Sequence, residues 1–210
     1  MRIAVLSLSA AVLAAPLPAQ EQELTRPEHW KVRFDRPGTP DTAIYFVGMP
    51  PGWHITTGPA AILYDPANTA SGTFRVQSTI FLFDPGQRHR EAYGIFFGGR
   101  SLDGAEQSYV YFLIRDTGEF LLKRRTGAST SVIRDWTASP AIMKHPGGGE
   151  QAKNVLAIAV GTNDVTFMVN GQTVATVPRS EVQTDGIVGL RVNHALNLHV
   201  TEVSVLPTGG

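Results

Sequence analysis

Two pairs of acidic residues in this chain have a spacing that could support catalysis. Two carboxylates held at a fixed separation can cleave a glycosidic bond, and the nearest such spacings are Asp103-x-x-Glu106 and Asp116-x-x-Glu119. Both segments contain glycine, which is typical of turns between strands. We therefore expect all four carboxylates to be solvated turn residues, and the sequence predicts no catalytic residue.

The histidines show no spacing that is typical of a metal site. None of the six forms an H-x-H or H-x-x-x-H pattern. His194 and His199 are an odd number of residues apart, so they would face opposite sides of an unbroken strand. His89 lies between two arginines, whose charge lowers its affinity for a cation. The chain has no cysteine, which excludes thiolate chemistry and disulfides. The sequence predicts neither a metal nor a cofactor.

Aromatic and basic residues are concentrated in the segments 93–100, 109–115 and 119–125. Aromatic rings can stack on sugars, and arginine or lysine can bond their hydroxyl groups. Alternation along a strand places Tyr109, Tyr111 and Arg115 on one face. The same aromatics could equally be core residues. The candidate ligand-binding residues are Tyr93, Arg100, Tyr109, Tyr111, Arg115, Lys123, Arg125 and Trp136.

The segment Asn154–Pro178 indicates which elements position these residues. Apolar and other residues alternate through three short runs, which are separated by Gly161–Asp164 and by Asn170-Gly171. Asn-Gly between alternating runs is a strong hairpin signal. The segment therefore predicts three antiparallel strands joined by tight turns.

The rest of the chain has a similar pattern. About thirteen strands can be counted from runs of apolar and β-branched residues that turn residues separate, and no convincing helix follows the N-terminal leader. The longest run, Ser71–Phe83, carries apolar residues on both faces toward its end, which predicts a central strand covered on each side. The last run, Leu196–Leu206, loses its phase near Thr201, which suggests a bulge. The expected fold is all-β, a two-sheet antiparallel sandwich.

The N-terminus has the pattern of a secretory leader. Met1-Arg2 precedes an uncharged apolar run, and Pro16–Gln20 ends in small and polar residues. We expect residues 1–20 to direct export to the periplasm or the exterior, with the leader either cleaved or retained as a tether. Residues 21–52 are expected to form an N-terminal extension with the first edge strands, and residues 53–206 the sandwich.

The charge balance limits the choice of partner. The chain carries 18 basic and 18 acidic side chains. Nucleic acid and anionic membranes both favour a strongly positive protein, so neither is expected as the main partner. Membrane association is expected only indirectly or through a retained leader. The expected partner is therefore a glycan or a protein surface.

Several segments together resemble a known fold family. They are Tyr93–Arg100, Tyr109–Arg115 with Gly118–Leu122, Asn154–Val160, Val165–Gly171 and Asp185–Leu190. Their order is similar to that in the concanavalin A-like lectin and glucanase jelly roll, over roughly residues 53–205. Within that fold, the chain most resembles secreted bacterial domains described as 3-keto-disaccharide hydrolase-like or family-16-like domains of unknown function.

The resemblance has two implications for catalysis. Family-16 glucanases carry an E-x-D-x-x-E strand motif, and this chain has none, so their mechanism is not expected. A 3-keto sugar needs only one base beside a cation that polarises the ketone. The candidates for those roles, chosen because they lie near strand ends, are His54, His194, Arg100 and Arg115.

Three functions follow from these observations. The first is a non-catalytic extracytoplasmic binding module for a carbohydrate or a protein. The second is a structural or accessory subunit that docks on the periplasmic side of a larger complex, either membrane-embedded or not. The third is a 3-keto-glycoside hydrolase or lyase, which rests on the resemblance alone.

Overall fold

The computed structural model describes residues 26–84 and 90–207. The expected leader and His89 lie outside these ranges. Sixteen strands and two 3-10 helices of three residues each, Asp41–Ala43 and Arg179–Glu181, form the described part. The strands are β1 Lys31–Phe34, β2 Ile44–Gly48, β3 Trp53–Thr57, β4 Ala61–Tyr64, β5 Thr69–Ala70, β6 Phe74–Leu82, β7 Ala92–Arg100, β8 Ser108–Arg115, β9 Glu119–Thr126, β10 Ser129–Ala138, β11 Ala152–Val160, β12 Asp164–Val169, β13 Gln172–Pro178, β14 Gly186–Val192, β15 Asn197–Val200 and β16 Ser204–Pro207.

These strands form two antiparallel sheets of eight strands each. The first sheet has the order β1-β4-β14-β7-β8-β9-β10, with β5 paired to β14. The second has the order β13-β12-β11-β6-β15-β3-β2, with β16 paired to β6. The expected all-β, two-sheet sandwich is confirmed. The strand count exceeds thirteen partly because a strand as short as β5 gives too few residues for a sequence pattern.

The main core fills the space between the two sheets. Phe97 and Phe112 project from the first sheet, and both meet Phe167 of the second sheet at ring-centroid distances of 6.0 Å and 5.4 Å. All three rings are fully buried, and they meet in the edge-to-face geometry that aromatic quadrupoles favour. The two sheets are thus held together mainly by apolar burial.

The predicted meander is present as β11, β12 and β13. Asn170 and Gly171 connect β12 to β13 with φ angles of 52° and 79°, the left-handed geometry of a type I′ hairpin turn. The Asn170 side chain also accepts a hydrogen bond from the Val155 amide at 2.8 Å and donates one to the Ala141 carbonyl at 2.8 Å. The turn is therefore fixed both by its backbone geometry and by its neighbours.

The long predicted strand is β6, which lies centrally in the second sheet as expected. Its burial differs from the expectation. Side chains from Phe74 to Leu82 alternate between buried and half-buried, so only the inner face of β6 is covered. The outward residues include Arg75, Gln77 and Thr79, which are half-buried and do not belong to the core among the described residues.

The C-terminal run is interrupted where its phase changes. Residues 201–203 separate β15 from β16, and both strands pair with β6. Thr201 keeps contact with β6 because its amide donates to the Thr79 carbonyl at 2.9 Å. The irregularity predicted near Thr201 is confirmed as a break between two strands.

Residues 31–48 contribute one strand to each sheet. Strand β1 pairs with β4 at the edge of the first sheet, and β2 pairs with β3 at the edge of the second. Among the described residues, no helix has the length and apolar character needed to cross a membrane.

Candidate ligand-binding face

The outer face of the first sheet carries a second apolar cluster. In an antiparallel sandwich the outward side chains are normally polar. Here, however, they include several buried apolar residues, with Trp136 and Ile187 packed beside them. The cluster consists of Ile62, Tyr64, Ala92, Phe96, Leu102, Tyr109, Tyr111, Leu113 and Leu121. We call this surface the outer face.

The register of the strands explains how these residues meet. Lys123, Tyr111, Phe96 and Gly189 lie opposite one another across β9, β8, β7 and β14. Gly189 leaves room for the aromatic rings, since a Cβ there would lie 2.6 Å from the Phe96 ring and 2.9 Å from the Tyr64 Cβ. The two rings consequently pack edge to face, with centroids 6.3 Å apart.

Tyr109 and Tyr111 form the centre of this face. Their ring centroids are 5.7 Å apart, and the two residues are only 2% and 5% exposed. Burial raises the pKa of both phenols, that of Tyr111 to about 12. Both therefore remain protonated at neutral pH and can act as hydrogen-bond donors but not as bases.

A buried ion pair lies beside the tyrosines. Arg191 of β14 donates two hydrogen bonds of 2.6 Å to the Asp35 carboxylate, the bidentate geometry that arginine favours. Its guanidinium lies 5.6 Å from the centroid of the Tyr111 ring. Burial opposes ionisation of Asp35, but the hydrogen bonds and charge of Arg191 outweigh it and hold the pKa of Asp35 below its usual value. The pair is charged at neutral pH.

One polar atom of this arginine has no hydrogen-bond partner in the described part of the chain. The Arg191 side chain is 8% exposed, and its Nε atom is buried with no acceptor in residues 26–84 and 90–207. Buried donors are nearly always satisfied in folded proteins. The Nε–H is thus an unused donor at the centre of the outer face.

A second carboxylate lies at the β1 side of the face. Asp103 accepts a hydrogen bond of 2.6 Å from Lys31 and another of 2.6 Å from the Tyr64 hydroxyl. These two bonds lower the pKa of Asp103. Asp103 is located in an exposed turn, as expected, and it also fixes the Tyr64 ring.

Three half-buried cations cover the aromatic residues. Arg33 projects from β1 and donates to the Leu102 carbonyl, and Arg125 of β9 donates to the Gly127 carbonyl at 2.8 Å. Lys123 lies opposite Tyr111 in the register. Long basic side chains can cover apolar surface with their methylene groups while their charged ends reach water. Lys123 and Arg125, which lie opposite Tyr111 and Tyr109, help to explain why the tyrosines are buried although no further layer formed by residues 26–84 and 90–207 packs on them.

Trp136 and Arg115 form the opposite end of the face. The Arg115 guanidinium lies 4.0 Å from the centroid of the Trp136 ring and donates to Glu119 at 2.7 Å and 2.9 Å. Glu119 and Asp116 flank the β8–β9 turn, where Asp116 accepts a hydrogen bond from the His145 amide. Trp136 itself is half-buried, which leaves part of its ring open to solvent.

The structure brings together six of the eight candidate ligand-binding residues on the outer face. The other two lie elsewhere. Tyr93 points into the main core, where Asn154 donates to its hydroxyl at 3.3 Å. Arg100 lies at the exposed end of β7 and donates to the Asp185 carbonyl at 3.3 Å. The six that meet are Tyr109, Tyr111, Arg115, Lys123, Arg125 and Trp136.

Sequence reasoning missed Arg33, Asp35 and Arg191. A usable signal existed for Arg191, because it stands between Leu190 and Val192 in an otherwise apolar run. A charged residue in such a run is expected to be buried, and a buried charge is costly unless an oppositely charged group pairs with it. The sequence alone could not identify that partner, because Asp35 lies 156 residues away.

The other candidate residues do not join the outer face. His54 lies in the second sheet opposite His199, and it hydrogen-bonds Asn197. His194 follows β14 and lies 3.5 Å from Glu91. Within residues 26–84 and 90–207, no group of three or more histidine and acidic side chains is placed to hold a metal ion.

Comparisons with known structures identify the fold. The carbohydrate-binding module CBM66 from Bacillus subtilis matches with a TM-score of 0.59 and 16% identity, covering 88% of this chain and 97% of the module. A B. subtilis protein of unknown function with a galectin-like fold matches with a TM-score of 0.59 and 12% identity, covering 84% of this chain and 88% of that protein. A GH16 protein of the Bacteroides ovatus mixed-linkage glucan PUL matches with a TM-score of 0.59 and 8% identity, covering 88% of this chain and 97% of that protein.

No protein-family model and no curated protein sequence matches the chain. At the identities given above, the structural similarity shows the fold alone. The expected concanavalin A-like jelly roll is confirmed.

Proposed function

We propose that the protein is an extracytoplasmic carbohydrate-binding module whose glycan lies on the outer face of the first sheet. The observation that carries this proposal is the apolar cluster on the outside of the sandwich, rimmed by Arg33, Lys123, Arg125 and Trp136. The cluster itself is buried, but Trp136 at its rim is half-buried, and an apolar group that reaches solvent among polar neighbours is typical of an interaction site.

The chemistry of the outer face suits a sugar. The half-buried Trp136 ring offers an apolar surface for the C–H face of a pyranose. The surrounding guanidinium and ammonium groups offer donors for hydroxyl oxygens. The names of the carbohydrate-binding module and the mixed-linkage glucan protein give independent support to a glycan ligand.

The carboxylates of the face favour binding over acid–base catalysis. Asp35, Asp103 and Glu119 each accept hydrogen bonds from a cation, and the pKa of each is lowered. A general acid in glycoside cleavage needs a raised pKa so that it keeps its proton near neutral pH. None of these three carboxyl groups meets that requirement.

The extracytoplasmic setting rests on the leader pattern of residues 1–20. Expression of the full chain in a bacterium with fractionation of the cells checks it. We expect the protein outside the cytoplasm, shortened by about 20 residues if the leader is cleaved. The alternative role as an accessory subunit stays a prediction, which co-purification of the natural protein with a fixed partner would support.

Affinity electrophoresis in gels that contain different soluble polysaccharides tests glycan binding. Trp136→Ala combined with Lys123→Ala should weaken binding of whichever glycan retards the protein by about 1–3 kcal/mol. Lys153→Ala is the matched control, because Lys153 is exposed on the second sheet. If the control weakens binding and the double variant does not, the glycan binds a different surface and the proposal is wrong.

A further inference from the structure

We propose that the glycan bound at the outer face is anionic, carrying carboxylate or sulfate groups. This inference rests on the proposed function and specifies its ligand class. It is drawn from three features of the face: an excess of positive charge, the convergence of three arginines on one tyrosine, and an unused buried donor.

The first feature is the charge of the face. Among the described residues, six cationic and three acidic side chains line it, whereas the whole chain has a formal net charge of zero. The positive charge is therefore concentrated here. The cations are Lys31, Arg33, Arg115, Lys123, Arg125 and Arg191, and the acids are Asp35, Asp103 and Glu119.

The pairing of these groups leaves three cations without an ion pair of their own, although Arg33 still acts electrostatically on Asp103 and Arg125 on Asp35. Each acid is matched to one cation, because Asp103 pairs with Lys31, Glu119 with Arg115 and Asp35 with Arg191. Arg33, Lys123 and Arg125 form no ion pair with another described residue. Arg33 and Arg125 instead donate to backbone carbonyls, which satisfy the N–H groups without neutralising the charge.

The second feature is the convergence of arginines from distant strands. Arg33 is on β1 and Arg125 on β9, five steps apart in the order of the sheet. Arg125 lies directly opposite Tyr109 in the register, and Arg191, Arg125 and Arg33 all favour the ionised form of Tyr109, whereas Asp35 opposes it. Three cations and one carboxylate therefore act at this position, an excess of positive charge that attracts an anion.

The third feature is the unpartnered Nε–H of Arg191. Each terminal nitrogen donates one hydrogen bond to Asp35, whereas the buried Nε atom has no acceptor among the described residues. Gly94, which has no side chain, lies opposite Arg191 on β7, and the Arg191 guanidinium lies 5.6 Å from the centroid of the Tyr111 ring on β8. An oxygen of a bound acid group can satisfy this donor, and it would gain a charge-assisted hydrogen bond.

A comparison of matched polysaccharides tests the inference. Binding of the full chain is measured by calorimetry with polygalacturonate and its carboxyl-reduced form, and with dextran sulfate and dextran. We expect each anionic polymer to bind at least about tenfold more tightly than its neutral partner at low salt, and about 0.5 M NaCl to remove most of that difference. The two anionic polymers show whether carboxylate or sulfate is preferred.

Variants that remove one positive charge each test whether the anionic polymer binds at the outer face. Arg33→Gln, Lys123→Gln and Arg125→Gln should each weaken binding of the preferred anionic polymer by about three- to tenfold, with Lys153→Gln as the matched control. Circular dichroism confirms that each variant is folded.

The outcomes separate this inference from the proposed function. If a neutral polymer binds as tightly as its anionic partner, or if the three variants behave like the control, the glycan is not recognised by its charge. The anionic inference is then wrong, although the carbohydrate-binding proposal stands. If none of the four polymers and no other glycan binds, both are wrong.

Discussion

At the scale of single residues, the Asp35–Arg191 pair controls the electrostatics of the outer face. Arg191 as a whole residue is 6% exposed, so its charge is costly unless a carboxylate compensates it. Asp35 supplies that carboxylate through two short hydrogen bonds. The pair also holds the guanidinium beside the Tyr111 ring, and thereby orients the donor that we assign to the ligand.

Removal of the Asp35 charge should destabilise the protein. We expect Asp35→Asn to lower the free energy of unfolding at pH 7 by about 3 kcal/mol, because Arg191 is left as an uncompensated buried charge. This value is at the lower end of the usual range since the Asp35 side chain is 35% exposed. The double variant Asp35→Asn with Arg191→Met should recover part of the loss, and urea denaturation measures both.

The effect of Asp35→Asn should depend on pH. The pKa of Asp35 is lower in the folded protein than in the unfolded chain, so its stabilisation is complete above the unfolded pKa of about 3.9. It is lost as the pH falls through the folded pKa. The difference between wild type and variant should be constant from about pH 5 to pH 8 and should shrink below about pH 4. A difference that persists unchanged in acid would contradict the ion-pair explanation.

Tyr111 should be a structural residue as well as part of the site. Because it is 5% exposed, Tyr111→Ala should cost about 3–4 kcal/mol of stability, as truncation of a buried aromatic does. Tyr111→Phe keeps the ring and should cost less than about 1.5 kcal/mol. Thermal unfolding of the two variants checks this. A small loss for Tyr111→Ala would instead indicate an open platform.

At the scale of elements, close contact between β7 and β8 shapes the outer face. Gly94 lies opposite Leu113, and a Cβ at Gly94 would lie 2.0 Å from the Phe112 carbonyl oxygen. No flexible side chain can absorb that overlap, because the nearest atoms belong to the backbone of β8. The glycine therefore permits the two strands to pair at this point.

A glycine comparison tests this role. Gly94→Ala should destabilise the protein by at least about 2 kcal/mol, because the strands must separate locally. Gly48 in β2 is the matched control, since a Cβ there meets no atom within 4 Å, and Gly48→Ala should change stability by about 0.5 kcal/mol or less. Equal effects in chemical denaturation would show that strand contact does not constrain Gly94.

The elements also show which parts of the fold the sequence predicts. The meander β11–β13 depends on local alternation and turn residues, and the sequence predicts it within a few positions. The order of strands in each sheet was not predictable, because β14 pairs with β4 and β7 across long stretches of chain. Contacts between distant parts of the chain also limited prediction of the candidate ligand-binding face. Alternation correctly grouped Tyr109, Tyr111 and Arg115, but it could not indicate the Asp35–Arg191 pair beside them, whose members lie far apart in the chain.

At the scale of the whole molecule, one continuous core joins the two sheets. Its residues come from strands of both sheets, including β2 and β3 at one edge of the second sheet and β12 and β13 at the other. The sandwich therefore has no internal boundary at which part of it could unfold alone. Such a molecule is expected to unfold in one step.

The unfolding transition of the chain from Glu21 onward tests that expectation. Far-ultraviolet circular dichroism should show β-sheet with helix in less than about a tenth of the residues. Circular dichroism and intrinsic tryptophan fluorescence should report the same midpoint in guanidinium chloride. Two separate midpoints would mean that the N-terminal strands and the remaining sandwich are independent units.

The separation of 156 residues between Asp35 and Arg191 has a consequence for the newly made protein. Asp35 leaves the ribosome 156 residues before Arg191. Until Arg191 emerges, neither the ion pair nor the arrangement of β1 and β14 around β4 can exist. A nascent chain that has not yet reached β14 therefore cannot form the outer face, and capture on the glycan that we propose would select chains that extend at least through Arg191.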